Sequence, residues 1–259
     1  MFKREVTELT FTSFIKKQFE TGDVAKLIYS PQWFYGKDII IDIVSVCVLL
    51  LIAFFSIKYY KIKKNRNYIF LALSFAVLAG SFLFKILVNL NIYYKYIETK
   101  DLGVVTTLYQ SMKASGKLFI TSLFLYWFLT LFGFYILYSI YQKQSMSNFL
   151  FGTYLLVILT YIAYPDYKIF HLTLLVILSL ITINQARNYL NKKHFATKSV
   201  AYSFGIIALS QIFYILVDVN NRFYVAGELI QLIGYVILLI TFIMVLRHGR
   251  KENKNRHHW

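Results

Sequence analysis

The sequence predicts an all-α fold, a polytopic membrane bundle of seven transmembrane helices. Three observations predict it. Seven long apolar runs, each bounded by charge, occupy residues 39–57, 68–90, 118–141, 149–164, 169–186, 200–217 and 224–246. At about 1.5 Å per helical residue, most of these can cross a hydrocarbon core of roughly 30 Å. Hydrophobic residues make up 58% of the chain and charged residues only 15%, a balance suited to lipid and not to a soluble domain of this length. The third observation is that the runs are uniformly apolar, whereas barrel strands would be near 10 residues long and alternate with polar positions.

Charge sets the expected orientation. The net charge is +16. Basic residues cluster after run one (Lys58, Lys61, Lys63, Lys64, Arg66), after run five (Arg187, Lys192, Lys193, Lys198) and in the tail (Arg247, Arg250, Lys251, Lys254, Arg256). With Lys143, one side holds 15 basic residues in short segments against 12 spread over longer segments opposite. The positive-inside rule then places the N-terminus outside and the C-terminus in the cytoplasm of a cell membrane. Every acid except Glu252 falls on or near the outer side. A basic cytoplasmic face beside a bilayer implies anionic lipid as the partner for that charge, and not nucleic acid.

Residues 1–37 form an outer segment. Phe11, Ile15 and Phe19 recur every four residues, with Lys16 and Lys17 on the flank, a pattern that suits either a short interfacial helix or a loosely ordered tail. The segment lacks the short apolar core and small-residue cleavage site of a signal peptide, so helix 1 is expected to direct insertion. Ser30-Pro31 breaks the chain before that helix, and Trp33, Phe34 and Tyr35 stand where an aromatic belt belongs. The seven-helix domain spans 38–247 and a basic tail follows at 248–259. Cys47 is the only cysteine, so no intrachain disulfide forms.

The runs contain an internal repeat. Residues 74–91 (SFAVLAGSFLFKILVNLN) align without gaps on residues 203–220 (SFGIIALSQIFYILVDVN), with nine of 18 positions identical. The same spacing pairs Lys58 with Arg187, Tyr60 with Tyr189, and Lys63-Lys64 with Lys192-Lys193. Helices 3 and 7 match more weakly through Gly133 and Gly234, once a long 91–117 loop is skipped. The expected architecture is therefore a 3+1+3 parallel repeat: repeat one at 38–141, a connector helix at 149–164, and repeat two at 167–247. This arrangement resembles sugar-exporting SWEET proteins and microbial rhodopsins in topology alone. Pro31-Gln32 precedes helix 1 instead of lying within it, and helix 7 has no lysine for a retinal Schiff base.

Residues 30–38 (SPQWFYGKD) entering helix 1, 58–61 (KYYK) leaving it, and 227–235 (GELIQLIGY) opening helix 7 resemble an uncharacterised family of archaeal seven-helix membrane proteins. The resemblance covers most of the chain through diffuse motifs. It implies the fold and no particular activity.

Ionisable groups within spans are costly, so each is a functional candidate. Asp42, Lys85, Asn89, Gln211, Glu228 and Gln231 share one level near the outer side. If they face the axis, they line an outward-opening polar pocket, with Lys85 pairing Asp42, Asp218 or Glu228 to reduce the cost of burial. Lys85, Glu228 and Gln231 are expected to face inward. His171 and Asp218 are expected at headgroup depth, hydrated. Small residues at Ala72, Ala76 and Gly80, with Ala201 and Gly205 on helix 6, form a ladder expected to serve packing within the chain.

Catalytic signatures are missing: the chain has no His-Glu-x-x-His, no Gly-x-Ser-x-Gly and no phosphate loop. No enzyme activity, metal or cofactor is expected, and His171 alone cannot make a bis-histidine haem site. The pattern supports a receptor-like sensor or membrane-complex subunit with a protein partner. Its alternatives are a small-solute transporter of SWEET-like architecture and a scaffold without a small ligand.

Overall fold

The computed structural model describes residues 30–101, 105–142, 144–164, 166–193 and 195–256. The expected interfacial helix around Phe11–Phe19, together with Lys143 and His194, lies outside the described residues. A 3-10 turn at Gln32–Phe34 leads to seven helices: α1 (Lys37–Lys63), α2 (Asn67–Asp101), α3 (Val105–Gln142), α4 (Met146–Ala163), α5 (Tyr167–Lys192), α6 (Phe195–Ile215) and α7 (Arg222–Arg256). Each contains a stretch long and apolar enough to cross a membrane. The protein is an all-α, multi-pass integral membrane protein.

Local chemistry sets the helix ends. Gly36 precedes α1 at φ 81°, a left-handed conformation that glycine adopts without a Cβ penalty. Ser145 caps α4 by accepting from the Asn148 N–H, and Asp166 caps α5 by accepting from the Lys168 N–H. At the opposite ends of α1 and α5 the chain turns through Lys64 (φ 50°) and Lys193 (φ 51°). Their N–H groups donate to the Tyr60 and Tyr189 carbonyls, each at 2.7 Å. Two non-glycine residues in this conformation occupy the positions that the sequence repeat pairs.

Two segments differ from the sequence expectation. Residues 91–117, read as a loop, are helical on both sides of 102–104, because α2 runs 35 residues and α3 runs 38. The stretches apolar enough to cross a membrane end at Ile92 and resume at Leu118. The helical backbone continues, since polar residues such as Lys, Glu and Gln support a helix outside lipid. For the same reason α7 continues through the basic tail as far as Arg256.

Six helices form a ring. α1, α2, α3, α5, α6 and α7 each pack on the next, and α7 returns to α1. α4 stands outside, touching α3 and α5, and buries the smallest share of any span. Its Leu150, Phe151, Tyr154 and Tyr161 are exposed, as expected for a helix facing lipid on most sides. Aromatic pairs bridge the interior: Phe82 with Tyr235 and Phe75 with Phe242 join α2 to α7, and Trp127 stacks on Phe170 between α3 and α5 at 5.2 Å.

Apolar burial gives little drive to helix association in lipid, so close packing matters more. The expected small-residue ladder on α2 does not provide it. Ala72 is buried, but Ala76 is exposed, and a Cβ at Gly80 would meet nothing within 4 Å. The packed face of α2 is instead Ser74, Phe75, Leu78 and Phe82. Close approach comes from the facing helices. A Cβ at Gly133 on α3 would stand 2.7 Å from Leu78 Cγ and 3.3 Å from the Ser74 carbonyl. One at Gly234 on α7 would stand 2.5 Å from Ile207 Cγ1 and 3.2 Å from the Ser203 carbonyl. Ser81 and Ser210 then donate to the Leu78 and Ile207 carbonyls, both at 2.7 Å. The two helix pairs make like contacts through residues at like positions.

Candidate functional site

The polar residues converge near the starts of α1, α5 and α7, near the far end of α6, and in the later part of the apolar span of α2, which ends at Ile92. Asp42 (0% exposed), Lys85 (7%) and Glu228 (1%) come from α1, α2 and α7. Lys85 Nζ donates to Asp42 Oδ1 at 2.7 Å and to Glu228 Oε1 at 2.5 Å. Asn89, one turn along α2, donates its amide to Asp42 Oδ2 at 3.3 Å. One ammonium thus bridges two carboxylates, and the buried trio carries one excess negative charge when all three are ionised. Removing water from such groups is tolerable only where charge-assisted hydrogen bonds replace hydration.

A second network faces the first from α5, α6 and α7. Gln211 donates from Nε2 to the Ile207 carbonyl (3.4 Å) and to Ser210 Oγ (3.0 Å), so its Oε1 is the atom turned to His171 Nδ1, 2.8 Å away. That oxygen can only accept, so Nδ1 carries the proton and a neutral His171 keeps Nε2 as an acceptor. The imidazole stacks on Tyr214 with 4.6 Å between ring centroids. Tyr214 donates to Gln231 Oε1 at 2.9 Å, and Gln231 donates to the Tyr235 hydroxyl at 3.0 Å. His171 is 6% exposed and belongs to the buried network, which corrects the expectation that it is hydrated. The packing of α5 between α3 and α6 encloses it beneath Tyr167. Asp218 does lie in a more open position. It pairs with Lys168 at 2.5 Å and accepts from Tyr167 at 2.6 Å, with its side chain 46% exposed.

Between the two networks lies a cavity of about 60 Å³, room for a few water molecules or one very small solute. Lys85, Asn89 and Glu228 line it together with Trp127, His171 and Tyr214. Of the other sequence candidates, Asp42 sits behind Lys85 and anchors it, while Gln211 and Gln231 hold His171 and Tyr214 from behind. The aromatic walls were not singled out from sequence, because aromatic residues fill this bundle throughout. The repeat itself carried a usable signal. The spacing that maps Ser74 to Ser203 also maps Asp42 to His171 and Lys85 to Tyr214, and the one that maps Gly133 to Gly234 maps Trp127 to Glu228. These six residues, one from each ring helix, meet at one level.

A larger groove of about 520 Å³ lies between Trp33 and the start of α7, beside Arg222 and Leu229. It is shallow and has no buried charge, so the internal cavity is the stronger candidate. Among the described residues no three His, Cys, Asp or Glu side chains converge as metal ligands. The chain matches no family model, no curated protein and no solved structure.

Proposed function

We propose that this protein is a receptor-like membrane sensor or complex subunit whose internal cavity, on the outer side of a cell membrane, binds a small ligand. The observation that carries this reading is the position of Lys85. It forms part of the cavity wall while tying α1, α2 and α7 together through Asp42 and Glu228. A ligand that competes for either carboxylate shifts the balance of contacts among three helices, which is the differential interaction a sensor requires. The basic end of the bundle, with Lys58, Lys61, Lys64, Arg66, Arg187 and Lys193, faces anionic lipid and the partner that receives the signal. Native mass spectrometry of the full chain, extracted gently from its own membranes, tests this. A stoichiometric protein partner supports the sensor or subunit reading; a chain that carries neither partner nor small molecule favours a scaffold.

One observation favours transport as a second reading. The cavity is lined from both halves of the repeat, at matched positions, as expected where a substrate is held between rocking halves. Its level near one end of the helices weighs the other way, since alternating access places sites near the midplane. Solute flux into liposomes that depends on Glu228 decides for transport.

A further inference from the structure

We infer that the cavity binds a small ammonium ion, such as ammonium or methylammonium; the inference rests on the cavity being a ligand site, as proposed above. Its charge is the first ground. Among the described residues Lys85 is the one cation lining it, and its Nζ is already hydrogen-bonded to Asp42 and Glu228. An incoming anion would meet a carboxylate and aromatic rings and gain no free positive group. An incoming cation would meet the Glu228 carboxylate and the faces of aromatic rings.

The acceptor atoms are the second ground. Glu228 is 1% exposed, and its Oε2 has no hydrogen-bond partner among the described residues although Oε1 is bound to Lys85. His171 Nε2 is likewise without a partner among them, since only Nδ1 is engaged by Gln211. These lining residues offer a carboxylate oxygen and a neutral imidazole nitrogen, both suited to accepting from N–H⁺ groups. A hard alkali-metal ion seeks several oxygen ligands and gains little from an imidazole nitrogen. Trp127, Tyr214 and Tyr224 supply the aromatic surroundings in which an ammonium is stabilised by ring quadrupoles. The volume of about 60 Å³ is the third ground, since a small ammonium ion fits within it. Tetramethylammonium is excluded twice over, being larger and having no N–H donor.

The test is thermal unfolding of the purified full-length protein in detergent, titrated with chloride salts at constant ionic strength. Ammonium and methylammonium are expected to raise the melting temperature saturably by at least about 2 °C, while sodium and tetramethylammonium leave it unchanged. Glu228→Gln should abolish the rise. The size series on the unaltered protein decides the matter even where that variant does not fold. Equal effects of sodium and methylammonium would reduce the result to a salt effect and overturn the inference. Stabilisation by sodium acetate or phosphate instead, lost in Glu228→Gln, would also overturn it while leaving the cavity a ligand site. No shift with any of these solutes would overturn the inference, and native mass spectrometry would then decide the broader reading separately.

Discussion

Lys85 donates to carboxylates that lie far from it in sequence, and its loss leaves Asp42 and Glu228 buried side by side without their shared counter-charge. Lys85→Ala is expected to destabilise the protein by about 3–5 kcal/mol, the usual cost of orphaning a buried ionic partner. On a Glu228→Gln background the same change should cost less, because one of the two charges is already gone. Denaturant unfolding of the four proteins of this cycle in mixed micelles measures the coupling, and additive effects would refute the pairing. A smaller effect belongs to the opposite wall. Tyr214→Phe removes the hydroxyl that donates to Gln231 and should cost about 1 kcal/mol by the same measurement. At this scale sequence reasoning reached the acids, the lysine and the amides, because ionisable and amide groups stand out in apolar runs. It did not reach Trp127, Tyr214 or Tyr224, since their polar atoms matter only through what the neighbouring helices place beside them.

Helix termini and crossings decide the element scale. Lys64 and Lys193 hold left-handed backbone conformations that cost an L-residue about 1–2 kcal/mol. Lys64→Gly or Lys193→Gly should therefore stabilise the protein, by up to about 1 kcal/mol once the greater freedom of glycine in the unfolded chain is offset, readable as a raised melting temperature. Gly133→Ala and Gly234→Ala should each destabilise by about 1–3 kcal/mol, because a Cβ at either site meets a backbone carbonyl as well as a side chain. Gly80→Ala, with open space around it, should be nearly neutral in the same melts. The small-residue ladder on α2 is a caution here. A spacing of four marks a face of the helix, but the partner that covers a face is chosen elsewhere in the chain, and α2 turns Ser74 and Leu78 to its neighbours.

The described residues form a six-helix ring with α4 outside, and the charge distribution predicts an orientation that can be tested. A cysteine placed by Arg66→Cys, on a Cys47→Ala background, should react with a membrane-impermeant thiol reagent only after the membrane is opened. One placed by Trp33→Cys should react in intact cells. The opposite pattern would reverse the topology and place the cavity on the cytoplasmic side. The internal repeat belongs to this scale as well. The turns at Lys64 and Lys193, and the close crossings at Gly133 and Gly234, fall at positions that the sequence alignment pairs. At the site the paired positions differ, Asp42 and Lys85 on one side of the alignment and His171 and Tyr214 on the other.

Seven spans and the class of the fold are legible in the amino-acid sequence, because lipid requires every buried backbone group to be satisfied within its own helix and so makes long apolar runs readable one at a time. The sequence also determined which residues were expensive to bury. The tertiary structure decided what those residues do together. Only the closing of the ring brings α7 back to α1, sets Glu228 and Asp42 on one lysine, buries His171 against Gln211, and leaves a small aromatic-walled space between the two networks. Those are contacts between distant segments, fixed by helix packing that no local pattern encodes.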